Sequence, residues 1–580
     1  MPASRLVDGK AMRPFSSWRR SSARLEAREP ASRFDATAAV LISHADQLAA
    51  MAPRFLRSLS TQFDVDGLAG RLAPVLLEDR TVALFALAEH VGGDQADELA
   101  RRVVQQGYRL ASPSRYVLAA PLLLAIARGQ VTARSLSNAP DIRLGPSKIA
   151  LADAFQDLLE WGVRHGASDI HLNVRLRETE SEVKYTVLGR YLAPERFRRM
   201  PTSTLIDMLS VAWMDIRGGN GAVFDPSIEQ QGGMTRQVDG KTVMLRWSSL
   251  AADAGPSVCL RMLLRDPASR PPTLDALGYL PDQIEQIDRA MLAESGAVVF
   301  AGAVGSGKST SIAALMARLP PHRKVVTIED PVEYVIPAAI QNTVVRNLDT
   351  AAHDNYSAKL RALKRSAMSD VLLGEIRDAE TGRAFMDLAG SGVNVYTTVH
   401  APSAALIPQR LASDFIGVSR DFLATPGMFK LLVFQVLLPC LCPQCALPVA
   451  SLLDGPPCPE DGYRRNGYWE RWLRSLEQLY PDGAGTWRIR NPQGCPTCRT
   501  TGLPELNGYA GRTVAAEIIE PGIDQEAIRS AQECAMHKAA SGAIDPRDIE
   551  ARFQAFETQR LRRRAQPGSD GRHPRLRVVP

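Results

Sequence analysis

Ala297-Val298-Val299-Phe300-Ala301-Gly302-Ala303-Val304-Gly305-Ser306-Gly307-Lys308-Ser309-Thr310 decides how this chain folds. Five apolar residues of the kind a central parallel strand needs run into the form G-x-x-x-x-G-K-S, and a helical pattern then continues to Leu319. The glycines let successive backbone N–H groups curl around phosphates at the positive end of that helix. In this frame Gly302, Ala303, Val304, Gly305, Ser306, Gly307, Lys308, Ser309 and Thr310 form a nucleotide cradle. Lys308 reaches the β- and γ-phosphates of ATP, and the Ser309 hydroxyl ligates Mg²⁺.

Phosphate binding alone is not hydrolysis, which also needs carboxylates near the γ-phosphate. Two acidic clusters follow apolar strands downstream: Ile328-Glu329-Asp330-Pro331-Val332-Glu333-Tyr334 and Asp370-Val371-Leu372-Leu373-Gly374-Glu375-Ile376-Arg377-Asp378. In the second, a strand ends in Gly and then Glu375, which sets a carboxylate at the carboxyl end of a sheet beside the nucleotide. A third strand, Tyr396-Thr397-Thr398-Val399, ends in His400. Such a histidine is either structural or a reader of the γ-phosphate.

Working outward, helix, strand, P-loop, helix and strand alternate from Leu274, the signature of a parallel α/β domain that runs over 274–520. Asp266-Pro267-Ala268-Ser269-Arg270-Pro271-Pro272 reads as a linker, at 266–273. Before it, 148–265 reads as a modest α/β domain. A helix with Phe155, Leu158, Leu159 and Val163 on its apolar side is followed by alternating strands around Ile170, Glu182 to Leu188, and Lys241 to Trp247. Residues 37–134 are dense in Ala, Leu and Arg. The spacing of Leu84, Leu87, Ala88 and Val91 predicts a small all-helical docking domain. Residues 521–559 read as a C-terminal helical segment.

Cys442-Pro443-Gln444-Cys445 and Cys495-Pro496-Thr497-Cys498 are two knuckles, each able to offer two thiolates to one tetrahedral Zn²⁺. The nearly fifty residues between them predict a subdomain within 440–500. Cys440 could replace Cys442, Cys458 is a further spare, and Cys259 and Cys534 read as core residues.

The net charge of +6 sits at the ends. Residues 1–33 hold eight Lys/Arg against three Asp/Glu, and 560–580 hold seven Arg against Asp570, which leaves the rest near −5. The leader (1–36) and tail (560–580) read as disordered, either solubilising or drawn to anionic lipid head groups. An acidic body argues against a nucleic-acid partner. No apolar run approaches the roughly 20 residues of a membrane span, and no signal peptide is evident, so the expected setting is the cytoplasm.

These motifs, in this order, resemble the type II secretion and type IV pilus assembly ATPases (GspE/PilB-like), a branch of the RecA-like P-loop proteins. Thr327 to Tyr334 resembles the family's Asp box, Gly374 to Asp378 its Walker B region, and Thr398-Val399-His400 the end of its His box. Ala167-Ser168-Asp169-Ile170-His171 resembles the opening of its second, PAS-like N-terminal domain. The two Cys-Pro-x-Cys knuckles resemble its tetracysteine module, and Gly511 to Glu517 the segment that closes the domain.

The resemblance implies a homohexameric ring, peripheral to the inner membrane, that works on a polytopic platform protein there. It implies that Glu333 and Glu375 activate water and organise Mg²⁺, with Glu329 and Asp330 beside the nucleotide, and that His400 senses the γ-phosphate. Arg246 and Arg261 would approach the phosphates from the N-terminal domain, and Leu277-Gly278-Tyr279 would flank the adenine.

The departures resemble the divergent branch of type IVb and conjugative thin pili. Ser391-Gly392-Val393 stands for Thr-Gly-His, Thr186-Val187-Leu188-Gly189 for Arg-Ile-Asp-Gly, Met368-Ser369 for Asp-Pro, and Gln435-Val436-Leu437 for Gln-Arg-Leu. Type II secretion is the alternative duty. A nucleic-acid translocase, a non-hydrolysing scaffold and a retraction motor rank below it.

Overall fold

The computed structural model describes residues 34–565 apart from 37–38, 43–46, 49–50, 64, 66–70, 119, 128–145, 222, 266–269, 345–350, 455–466, 484, 501 and 524–527. The leader to residue 33, the tail from 566, Cys458 and the first half of the linker lie outside the described residues.

Around the opening stretch, seven strands form one sheet: β13 (Gly296–Ala301), β14 (Val325–Glu329), β15 (Ile340–Thr343), β16 (Asp370–Glu375), β17 (Asn394–Val399), β18 (Phe429–Leu441) and β21 (Tyr509–Ile519). Their order is β15-β14-β16-β17-β13-β18-β21, parallel except for the antiparallel β18–β21 pair. Every residue of β13 and β17 is buried. Alternate side chains feed two cores: Ala297, Val299 and Val395 go to one face, Val298, Phe300 and Tyr396 to the other. Each fully buried aliphatic or aromatic side chain contributes about 1.5–3 kcal/mol.

The domain before the linker is a second sheet, in the order β10-β11-β12-β6-β7-β8. Its strands are β6 (Ala167–Asn173), β7 (Glu180–Val187), β8 (Arg190–Leu192), β10 (Gln231–Val238), β11 (Lys241–Ala252) and β12 (Gly255–Arg265), with β9 (Met200–Pro201) pairing β7. The helices Pro146–Arg164 and Thr202–Trp213 cover one face, where Phe155, Leu158 and Leu209 meet Ile170, Tyr185, Leu245 and Leu260. The other face is polar, as strict alternation requires.

The N-terminal segment corrects the expectation of an all-helical unit over 37–134. It holds a five-stranded sheet in the order β1-β5-β4-β3-β2. The strands are β1 (Val40–Ile42), β2 (Phe55–Ser58), β3 (Leu72–Leu77), β4 (Thr81–Ala86) and β5 (Arg109–Leu118), with helices Asp94–Gln105 and Ala120–Ala127. The physical reason lies in β4, which is covered on both sides. Val82, Leu84 and Ala86 enter one core while Ala83 and Phe85 enter another, so no period of two survives in the sequence.

Between β18 and β21, the small sheet of β19 (Leu447–Pro448) and β20 (Arg488–Ile489) and the helix Tyr468–Leu479 share a core with the C-terminal helices Ala531–Ala540, Pro546–Arg552 and Phe556–Ala565. That last helix carries Arg560, Arg562, Arg563 and Arg564, which corrects the expected onset of disorder at 560. Phe556 anchors it against Trp472 and Tyr480. Leu503 and Leu506, just beyond the second cysteine knuckle, are buried in the core of the β6–β12 domain. Beside them Arg190 on β8 donates to the Tyr509 hydroxyl at 2.6 Å and to Asp548 at 3.1 Å.

Candidate active site

The P-loop leaves the carboxyl end of β13 and becomes the helix Lys308–Met316. Gly307 caps that helix at φ +83°, a conformation that favours glycine. A Cβ on Gly302 would lie 2.5 Å from the Gln435 carbonyl oxygen, so the loop passes β18 too closely for a side chain. Lys308 Nζ folds back onto the carbonyls of Gly302 at 2.9 Å and Ala303 at 3.0 Å. The Ser306 hydroxyl is buried with no hydrogen-bond partner in the loop. Glycines in left-handed conformations, an ammonium bonded only to its own loop, and a helix N-terminus together fit a polyphosphate with its Mg²⁺.

The two acidic clusters and the histidine converge here. His400 Nε2 lies 2.8 Å from Glu375 Oε1, and its Nδ1 lies 2.9 Å from the Gly302 carbonyl oxygen. Both ring nitrogens thus face acceptors, and the ring donates to both at once only as the imidazolium. Burial lowers the Lys308 ammonium below its ordinary range; Glu375 and Glu333 oppose that, and Arg261 adds to it. Glu329 is raised, chiefly by burial, and accepts from Thr327 Oγ1 at 2.6 Å and Gln341 Nε2 at 3.0 Å. The Thr310 hydroxyl donates to Tyr334 at 2.8 Å, tying the loop's helix to the first acidic cluster.

From the other domain, Arg246 Nη1 donates to the Asp330 carbonyl at 2.8 Å, and its Nη2 lies 3.7 Å from the Asp330 carboxylate. Arg377 approaches the same carboxylate at 3.4 Å. Arg265 donates to the Val332 carbonyl at 2.8 Å. Arg261 pairs with Asp169 at 3.1 Å. Strand register puts Gly233, Arg246, Arg261, Asp169 and Thr186 in one transverse row across five strands of the polar face. A cleft of about 920 Å³ separates this face from Asp330, Pro331 and Thr343.

Two expectations need correction. Tyr279 does not present itself to an adenine; it is 4% exposed, and its hydroxyl lies 2.5 Å from Gln435 Oε1. Cys259 is not a core residue. It shares strand parity with Arg261 and lines the cleft, partly exposed. Counting in twos along Cys259-Leu260-Arg261 would have shown it. Gln435 was missed as well, because nothing in sequence marks which strand passes beneath the loop.

Cys442, Cys445, Cys495 and Cys498 gather with all four sulfurs within 4.8 Å of one another, and Cys440 is not among them. The Sγ separations are 3.7 Å for Cys442–Cys495, 3.6 Å for Cys445–Cys498 and 3.7 Å for Cys495–Cys498. A tetrahedral Zn²⁺ with 2.3 Å bonds spaces its sulfurs by roughly 3.8 Å, so this donor set fits zinc. The Gly508 N–H donates to Cys498 Sγ at 3.3 Å, and the Cys442 N–H to the Gly508 carbonyl at 2.8 Å.

A strand-borne P-loop facing two glutamates and a histidine defines a P-loop nucleotide-binding protein. Residues 148–559 match the family model of the Type II/IV secretion system proteins, and the chain belongs to that family as a GspE/PilB-like ATPase. It is 28% identical over 391 residues to type II secretion system protein E of Dickeya dadantii, spanning 67% of this chain and 69% of that one. It is 29% identical over 367 residues to the type IV pilus assembly ATPase PilB of Acinetobacter baylyi, spanning 63% of this chain and 56% of that one. The solved ATPase DotB of Legionella pneumophila superposes with a TM-score of 0.43 at 19% identity, covering 72% of this chain and 98% of that one.

Proposed function

We propose that this chain is a RecA-like motor ATPase that couples ATP hydrolysis to movement of the β6–β12 domain against the catalytic sheet, and so drives assembly of a type IV, IVb-like pilus. One observation carries the reading. Arg246 holds Asp330 across the domain boundary, while Arg261, opposite it on the neighbouring strand, lines the same cleft. Charge added at the P-loop therefore changes the forces between the two domains.

In this reading Lys308 would bind the β- and γ-phosphates, and Ser309 with Glu333 and Glu375 would hold Mg²⁺, which would neutralise developing phosphate charge. Glu333 and Glu375 would orient the attacking water, one of the two carboxylates taking its single proton as the water adds to the γ-phosphate and ADP leaves. His400, bound to both Glu375 and Gly302, reports loop geometry to that carboxylate. Zn²⁺ on the four cysteines is structural.

The working unit is a homohexamer at the inner membrane, engaged with a polytopic platform protein, with the basic ends in contact with anionic lipid. No helix among the described residues is long and apolar enough to cross a membrane. Protein export through a type II system is the second reading, favoured by the likeness to protein E of Dickeya dadantii.

Lys308→Ala is expected to lose hydrolysis by at least about a hundredfold while still forming hexamers; turnover at the wild-type rate would refute the P-loop assignment. Captured from membranes, the same variant is expected to bring pilins and a polytopic platform with it. Recovery of an exported substrate complex instead would replace pilus assembly by secretion.

A further inference from the structure

Against the P-loop lies a buried polar relay whose side chains, Gln435 and Tyr279, are not part of the cradle. Gln435 on β18 is fully buried. Its Nε2 donates to the Ser306 carbonyl at 2.7 Å. Its Oε1 receives the Tyr279 hydroxyl at 2.5 Å. That hydroxyl also lies 3.1 Å from Ser311 Oγ on the P-loop's own helix. Burial raises the Tyr279 phenol above its ordinary range, so it stays protonated and remains a donor. A donor at Oε1 fixes which end of the Gln435 amide faces the loop.

The consequence follows from peptide geometry. The Ser306–Gly307 peptide is trans, so its carbonyl and its N–H point in opposite directions. Holding the Ser306 carbonyl down toward β18 turns the Gly307 N–H up into the cradle, where phosphate oxygens need donors. Gly278, next to Tyr279, is itself fixed from the C-terminal segment. Lys538 Nζ donates to its carbonyl, to Thr513 Oγ1 and to the Val514 carbonyl. The loop amide is thereby oriented before any nucleotide arrives.

We infer that Gln435, oriented by Tyr279, is a positioning residue that presets the Gly307 amide for the phosphates beyond the α-position. This rests on the nucleotide-binding reading of the P-loop. Gln435→Leu removes both polar contacts, while Gln435→Glu keeps the shape and the acceptor for Tyr279 but offers no N–H to Ser306.

The test is calorimetric titration of the full chain with ADP and with AMP, each variant first matched to wild type by its melting curve. Gln435→Leu and Gln435→Glu are expected to weaken ADP about tenfold, equivalent to about 1.4 kcal/mol, and AMP by less than twofold. Tyr279→Phe is expected to weaken ADP about threefold, and adding it to Gln435→Leu should cost less than it does alone, because the Tyr279–Gln435 bond is already gone and only the contact to Ser311 remains. A general loss of packing would weaken both nucleotides alike. Equal losses for AMP and ADP, or ADP binding within twofold of wild type in whichever variant folds, overturn the inference. Failure of wild-type protein to bind ADP would instead overturn the P-loop reading itself.

Discussion

Replacing Asp370 by alanine should open the catalytic sheet from its far end. Asp370 begins β16 fully buried, and its carboxylate accepts from Arg323 Nε and Nη2 at 2.7 Å each and from the Tyr396 hydroxyl at 3.0 Å. The Arg323 side chain is only 10% exposed. Lys430 lies near the same group; burial, then Arg323, push its ammonium down to about 8 while Asp370 holds it up. Asp370→Ala therefore strands a buried guanidinium beside a second cation. Breaking a buried pair from one side costs about 3–5 kcal/mol, so we take about 4, or roughly a thousandfold in an opening equilibrium. Asp370→Asn keeps one acceptor and should cost about half as much. Arg323→Met with Asp370→Leu removes both charges and should fall within about 1 kcal/mol of wild type. Hydrogen exchange of peptides from β14, β16 and β17 is the assay, with β6 and β12 as internal reference. Acceleration below tenfold in Asp370→Ala, or a double variant as damaged as the single one, would refute this account of the network.

Burial, followed by the neighbouring Asp545, raises the Asp548 carboxyl to about 6 against the pull of Arg190. Its ordinary value is near 4, so between about pH 4 and 6 the folded state binds more protons than the unfolded one, and stability falls as pH rises through that window. Asp548→Asn should flatten this slope in melting temperature measured from pH 4.5 to 7, and an unchanged slope would show that another group titrates. Elemental analysis should find about one zinc per chain, and chelation or Cys495→Ser should accelerate exchange at 502–509 and in β7 and β8 while sparing β13 and β17. Protein that keeps full protection after its cysteines are metal-free would sink the zinc assignment.

The parts legible in the sequence were those with local signatures. The run of Ala297 to Ala301, the glycines after it and the paired Cys-Pro-x-Cys turns each fix their own conformation, so strand, loop and knuckles could be read directly. Glu375 and His400 were legible because each ends an apolar strand, and carboxyl ends of parallel strands collect at one edge. Position across strands was not legible. The row of Gly233, Arg246, Arg261, Asp169 and Thr186 depends on register over five strands, and β10 and β12 gave no signal strong enough to set it. Thr186, where the family has Arg, falls in that row, and its hydroxyl lies 2.8 Å from His171 Nε2. Leu84 to Val91 misled because its first residues end β4, which is buried on both faces, while Leu87 to Val91 form the turns that follow, so the apparent helical spacing spans two conformations.

The core shared by Leu503 and Leu506 with the β6–β12 domain, and the Arg190 contacts beside it, have a mechanical meaning. The Tyr509 ring meets the guanidinium groups of Arg190, 4.9 Å from its centroid, and Arg490, at 5.2 Å. Arg190 sits on the edge strand β8, and Arg246 is four strands away on β11. At about 4.8 Å per strand, that is a lever arm of roughly 19 Å with its fulcrum beside the cysteine cluster. If the domains move as proposed, a rotation of about 10° there would sweep Arg246 by about 3 Å, enough to lose its contact with Asp330.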